Sequence, residues 1–291
     1  MDLRAAKLAA GATISVCLPA RDEAETIGAI VAEVRTVLGG AEGLVDEIVV
    51  IDDGSSDCTA EVAGRAGALV FAEAAVLPEA GPGGGKGNAL WKSLAVCRGD
   101  IVCWLDADLR NFSAEYVARL VAPLLRSPDT LFVKAYYHRS YEGSPTGGGR
   151  VTELVARPLL SLLFPKLADI VQPLGGEYAG RREALEILPF VEGWGVEIGL
   201  LVDVVDRFGR DAIAQVDLGV REHRNRPLDE LAPQALAVLA TGLRRAGLVE
   251  SSAAFVELIR GAADGSIDAV PVEVRERPPI VTMPGYRGRA H

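Results

Sequence analysis

Apolar strand-like runs alternate with helix-like runs through the first 139 residues, and that alternation leaves few folds open. TISVCLPA (13–20), DEIVVID (46–52), ALVFAE (68–73), DIVCWLD (100–106) and LFVKAYYHR (131–139) read as strands. ETIGAIVAEVRTVL (25–38), DCTAEVAGRAG (57–67), GNALWKSLAVCRG (87–99) and SAEYVARLVAPLLR (113–126) have helical spacing. Such alternation builds a mostly parallel α/β sheet with helices on both faces. Ligands of such sheets bind outside the carboxyl ends of the strands. Asp52, Asp53, Asp106 and Asp108 all fall at such ends.

The second half is less regular. Helical patterns follow glycines in 147–163, 172–188 and 193–209, and AIAQVDLGV (212–220) reads as a strand. Residues 228–247 and SAAFVELIRGAA (252–263) read as helices, which makes the C-terminal region helical. PPIVTMPGYRGRAH (278–291) has no periodicity and reads as a loose tail. No internal repeat or linker stands out in the 291 residues, enough for one large α/β domain or two small ones.

Composition removes several function classes. The net charge of −10 comes without a basic stripe, which argues against nucleic acid as a partner. The most apolar window, 154–171, carries two prolines and several charges, so no membrane span is expected. The N-terminus lacks a secretory h-region and cleavage site. None of the four cysteines forms a CxxC pair, and Cys17 and Cys103 fall in strands, which fits a reduced, cytoplasmic setting.

Asp106 and Asp108 flank Ala107 directly after the apolar run IVCWL. In an extended segment residues i and i+2 point the same way, so both carboxylates can converge on one hard divalent cation. A strand-ending turn produces the same spacing. LPARDEAETIG (18–28) and IDDGSSD (51–57) are further strand ends rich in acids. Each is accounted for by a helix-favouring or capping role. Three acidic ends on one sheet edge suggest a nucleotide–metal crevice, with Glu23 accepting from a ribose or base.

GPGGGKGNALW (81–91) is not a Walker A loop, since position 80 is Ala and Gly87 follows Lys86. It is either a solvated turn or a loop that carries a cation to a diphosphate. GGGR (147–150) precedes a helix, where free amides and Arg150 favour an anion. VREHRNRP (220–227) sets His223 among Arg221, Arg224 and Arg226. As a neutral imidazole, His223 can complete a metal site with the paired aspartates.

LPARDEAETIG, IDDGSSD, GGKGNALWKSL, WLDADL, GGGRVTELVARPLL, QPLGGEYAGRRE, GWGVEIGLLVD and AQVDLGVREHRNRPL occur in that order. In this series the chain resembles the glucosyl-3-phosphoglycerate synthases and their mannosyl relatives, retaining glycosyltransferases of the GT-A (Rossmann-like) fold. The likeness spans roughly residues 13–228, and its long blocks are far more specific than the paired aspartates. It implies an NDP-sugar-dependent hexosyltransferase with UDP-glucose as donor, Mg²⁺ or Mn²⁺ as cofactor, 3-phosphoglycerate as acceptor and a homodimer.

Carried over by motif, the resemblance implies that Pro19, Ala20, Arg21, Glu23 and Asp53 hold the nucleotide, with Asp106 near the ribose. Lys86 and Arg221 would meet the diphosphate, and Glu197 the donor sugar; these three carry the catalytic roles. Asp108 and His223 would bind the metal. Gly149, Arg150, Thr152 and Asn225 would hold the acceptor. A single unit in two halves follows, 1–140 for the nucleotide sugar and 141–291 for the acceptor and C-terminal helices. Arg21-Asp22, the DDG triplet, the glycine-extended loop before Lys86 and Trp194 depart from the family pattern. These departures bear on the base and the sugar more than on the reaction. GDP-mannose with mannosyl transfer, a polyprenyl-phosphate glycosyltransferase, a nucleotidyltransferase and a non-catalytic nucleotide sensor are the alternative readings.

Overall fold

The structure, a computed structural model, describes residues 2–141, 144–147, 149–221, 227–249, 253–262 and 264–286. It opens on α1 (Leu3–Ala10), which Asp2 caps through the Arg4 N–H at 2.9 Å. β1 (Ile14–Ala20), β2 (Glu47–Asp52), β3 (Leu69–Ala72) and β4 (Ile101–Trp104) then lie parallel in the order β3-β2-β1-β4. Alternate side chains of β1 and β4 enter two cores, Cys17 and Trp104 on one face, Val16, Leu18 and Cys103 on the other. Burial on both faces accounts for their near-continuous apolar sequence. α2 (Ile27–Leu38), α3 (Thr59–Ala66) and α5 (Glu115–Arg126) cover one face, and α4 (Gly85–Val96) the other.

β5 (Phe132–Tyr141), β6 (Ser144–Gly147), β7 (Tyr178–Arg181) and β9 (Ile213–Arg221) complete an eight-stranded sheet. β7 lies between β4 and β5 and is antiparallel to both, while β9 runs parallel to β5. α6 (Arg157–Leu163), preceded by a π-helical turn over Thr152–Ala156, packs with α8 (Val196–Phe208) and α9 (Leu228–Arg245) on the α4 face. Among the described residues no helix is long and apolar enough to cross a membrane.

Three expectations are corrected. Residues 172–188 do not pass straight from glycines into a helix: Tyr178–Arg181 form β7, and α7 is only Arg182–Leu185. A four-residue strand buried on both faces is too short to show a period. Residues 252–263 are not a helix. Phe255–Gly261 form β10, paired antiparallel with β11 (Ile267–Glu273) in a hairpin over α9. Exposed and half-buried positions alternate along β10, and Gly265 takes φ +80° in the turn. The C-terminal region is therefore mixed rather than helical. Residues 278–286 are not a loose tail. Pro278 O accepts from the Trp91 indole at 2.8 Å, and Ile280 is fully buried in the core. Just before them, β12 (Glu276–Arg277) pairs antiparallel with β8 (Phe190–Val191).

Candidate functional site

The carboxyl ends of β1, β2 and β4 open into one cavity of about 510 Å³. Beyond β1 the chain turns sharply at Asp22, whose φ of +56° lies in the left-handed region. Its carboxylate accepts from the Ser56 N–H at 2.7 Å and the Ser56 hydroxyl at 2.9 Å, which holds its pKa below the usual aspartate value. The Glu23 N–H donates to Thr59 Oγ1 at 2.8 Å. These bonds clasp the loops after β1 and β2 together and leave Glu23 and Asp53 on the cavity wall. Burial first, then repulsion from Asp108, pushes Glu23 up to about 7. Arg21 approaches Asp53 to 3.9 Å at the rim.

Asp106 and Asp108 follow β4, and the Thr26 hydroxyl donates to the intervening Ala107 O at 2.6 Å. Gly176, just before β7, backs directly onto Asp106. A Cβ there would stand 2.2 Å from both carboxylate oxygens, so only glycine fits. Lys86 sits in the first turn of α4. Its Nζ is 2.5 Å from Asp106 Oδ1 and 3.1 Å from Glu197 Oε1, on the first turn of α8. Burial opposes the charged amine, but Asp106 and Glu197 outweigh it and raise its pKa well above the usual lysine value.

A second lysine lies beneath this pair. Lys134 on β5 is 1 % exposed, donates to Gly175 O, and stands 4.4 Å from the centroid of the Tyr178 ring, which Lys86 approaches at 5.9 Å. Burial pushes the Lys134 amine down to about 7, against the pull of Glu197 and with help from Lys86. An unfolded chain binds this proton up to the ordinary lysine value of 10.5, whereas the folded one gives it up near 7. The unfolded state then holds more protons in that window, so this group's contribution to stability rises with pH. The unfolding free energy of the wild type minus that of Lys134→Met should therefore climb between pH 7 and 10, by at most about 1.4 kcal/mol per unit. Parallel curves in denaturant titrations would contradict this.

The opposite wall carries the anion-binding candidates. Gly149 takes φ +75°, and Arg150 and Thr152 follow at the start of the helical segment. Trp194 and, from α9, Leu231, Gln234 and Val238 complete the cavity. One cavity thus collects Pro19, Ala20, Arg21, Glu23, Asp53, Lys86, Asp106, Asp108, Gly149, Arg150, Thr152 and Glu197. His223 and Asn225 lie outside the described residues, as does the side chain of Arg221 at the end of β9. Lys134, Gly176 and the α9 wall were not singled out in the sequence. Lys134 left a signal, a lone charge in the apolar run LFVKAYY.

The donor set suits a hard cation. Asp106 and Asp108 offer only carboxylate oxygens, and Glu23 stands beside them with its pKa raised first by burial and then by Asp108. Among the described residues no cluster of three ligating side chains is assembled, so a ligand from outside them would be needed.

Comparisons with known proteins agree with this geometry. A family model described as glycosyl transferase family 2 matches residues 15–187. The glucosyl-3-phosphoglycerate synthase of Mycolicibacterium smegmatis is 49 % identical over 97 % of this chain and 93 % of its own length. That of Petrotoga mobilis is 44 % identical over 94 % and 88 %. The crystal structure of the Mycobacterium tuberculosis enzyme with Mn²⁺, UDP-glucose and phosphoglyceric acid is similar at a TM-score of 0.86 and 49 % identity, covering 97 % of this chain and 94 % of that one. The same enzyme with Mn²⁺, UDP and glucosyl-3-phosphoglycerate gives 0.85 at 48 % identity, with the same coverage.

Proposed function

The chain belongs to glycosyl transferase family 2, among the glucosyl-3-phosphoglycerate synthases, and on that premise we propose that it moves glucose from UDP-glucose to the 2-hydroxyl of 3-phosphoglycerate with retention. One observation carries the reading. A single cavity joins the acidic strand ends to the Gly149–Thr152 segment, and the Lys86–Glu197 pair lines it too. The two halves, 1–140 and 141–291, then serve donor and acceptor as one unit.

Pro19, Ala20, Arg21, Glu23 and Asp53 line the nucleotide end, and Asp106 faces the ribose. Asp108 and His223 are the residues that would hold Mg²⁺ or Mn²⁺, which when bound supplies Lewis-acid neutralisation of the diphosphate. Lys86 and Arg221 add fixed positive charge where the leaving diphosphate gains negative charge. Glu197 accepts from the glucose hydroxyls. Its ion pair with Lys86 suits a positioning group rather than a nucleophile. Arg150, Gly149 and Thr152, with Asn225, grip the acceptor's anionic groups. Its hydroxyl then attacks from the leaving-group face and passes its proton to a diphosphate oxygen.

The test is product formation from 3-phosphoglycerate and a panel of nucleotide sugars, GDP-mannose included, with Mg²⁺ or Mn²⁺, read by NMR. An α-glucosyl product from UDP-glucose is expected. No product from any donor sinks the reading, and a β-linked product sinks retention. A homodimer and a cytoplasmic setting belong to the same proposal. Phe255, Ile259 and Ile267 on the hairpin are exposed apolar residues for a second copy to cover, and all four cysteines are free thiols. Light scattering across a concentration series tests the dimer.

A further inference from the structure

We propose that Arg277 is a positioning residue for this reaction. It ties together the two loops that deliver Lys86 and Glu197 to the cavity. The inference rests on the reading above in which Lys86 meets the diphosphate.

Arg277 lies 189 residues beyond Asn88 in sequence, yet its guanidinium, 5 % exposed, is built into the base of the glycine loop. Nε donates to Asn88 Oδ1 at 2.8 Å, Nη1 to Ala80 O at 2.7 Å and Nη2 to Gly81 O at 3.3 Å. Its plane stands over the Trp91 ring at 5.4 Å. Gly83 is glycine because of it: a Cβ there would stand 2.1 Å from Nη2. Arg275 adds a bond to Pro82 O at 2.8 Å. One short C-terminal stretch therefore grips residues 80–82 and Asn88, which bracket Lys86.

The same guanidinium reaches the other loop. Arg277 Nε lies 2.5 Å from Glu192 Oε1, and Glu192 is fully buried. The Gly84 N–H donates to Glu192 Oε2 at 3.4 Å, and the Glu192 N–H donates to Arg275 O at 2.8 Å. From Glu192 the chain passes through Gly193–Gly195 directly to Glu197. Lys86 and Glu197 thus meet at 3.1 Å in the first turns of two helices whose leading loops share one anchor. Lysine cannot replace it, since an ammonium is a single point and these acceptors lie around a planar fork.

The experiment compares affinities for UDP and for uridine, by calorimetry, in wild type and Arg277→Lys. Uridine probes the nucleotide end, which Arg277 does not touch and which meets this network only through Asp106 and Asp53; UDP adds the diphosphate. We expect UDP affinity to fall about tenfold, the worth of charge-assisted hydrogen bonds lost through a shifted Lys86, with uridine affinity falling far less. In a Lys86→Met background, Arg277→Lys should then cost UDP affinity nothing further. Equal losses for UDP and uridine, or additive losses in the double variant, would overturn the proposal. Should Arg277→Lys fail to fold, Arg275→Ala removes one bond from the same loop and should weaken UDP about two- to threefold and spare uridine; no change there also overturns it. Wild-type turnover with unaltered UDP binding in these variants defeats this inference alone. Absent wild-type product defeats the functional reading, and the binding comparison still decides this one.

Discussion

Asp108→Asn is expected to lower kcat/KM by about a thousandfold and to remove the tightening of UDP binding by Mn²⁺. The substitution keeps size and removes one anionic oxygen donor from a cavity wall that Asp106 and Glu23 also line. It also removes the second-largest influence on Glu23. Burial would still hold that carboxyl above its ordinary value, but less far. Initial rates across a Mn²⁺ series and calorimetry of UDP with and without the ion measure both effects. If the variant kept wild-type dependence on Mn²⁺, Asp108 would not be a metal ligand. Asp106→Asn provides the contrast, since Asp106 pairs with Lys86.

Lys86→Met should lower kcat with UDP-glucose by about a hundred- to a thousandfold, the usual cost of removing one donor aimed at developing charge. The resting structure shows why the lysine stays charged and in place: Asp106 and Glu197 both approach its amine. Without it those two carboxylates lose the amine that both approach, and the buried Lys134 is the lysine left beside them. Leaving the buried Glu197 without its partner costs stability, so a denaturant titration of the variant accompanies the kinetics. Turnover within threefold of wild type would remove Lys86 from the catalytic machinery.

Legibility in the sequence followed burial. β1, β2 and β4 were readable because each core strand is apolar on both faces and ends abruptly in acids. Those same acids, with Lys86 and the Gly149–Thr152 segment, line much of the cavity and stand out in the sequence. β7 is unreadable at four residues, and the glycines in and before it suggest a loop, whereas Gly176 admits Asp106 and Gly180 admits Leu185. β10 was mistaken for a helix because Phe255, Leu258 and Ile259 also fit a helical spacing; the Asp264–Gly265 turn was the better guide. Arg277 gave no local signal, since its partners are distant in sequence and come together only in the fold.

The place of β7 also sets an order of assembly. Both of its neighbours, β4 and β5, precede it in the chain. A nascent chain that ends before Tyr178 has a gap in the middle of its sheet, so the parallel half cannot join β5. Closing it requires pairing across long sequence separations, the slow kind of step in folding. Gly176, which backs onto Asp106, enters with the same strand. The strand that joins the two parts of the sheet therefore also brings the cavity the residue that backs Asp106.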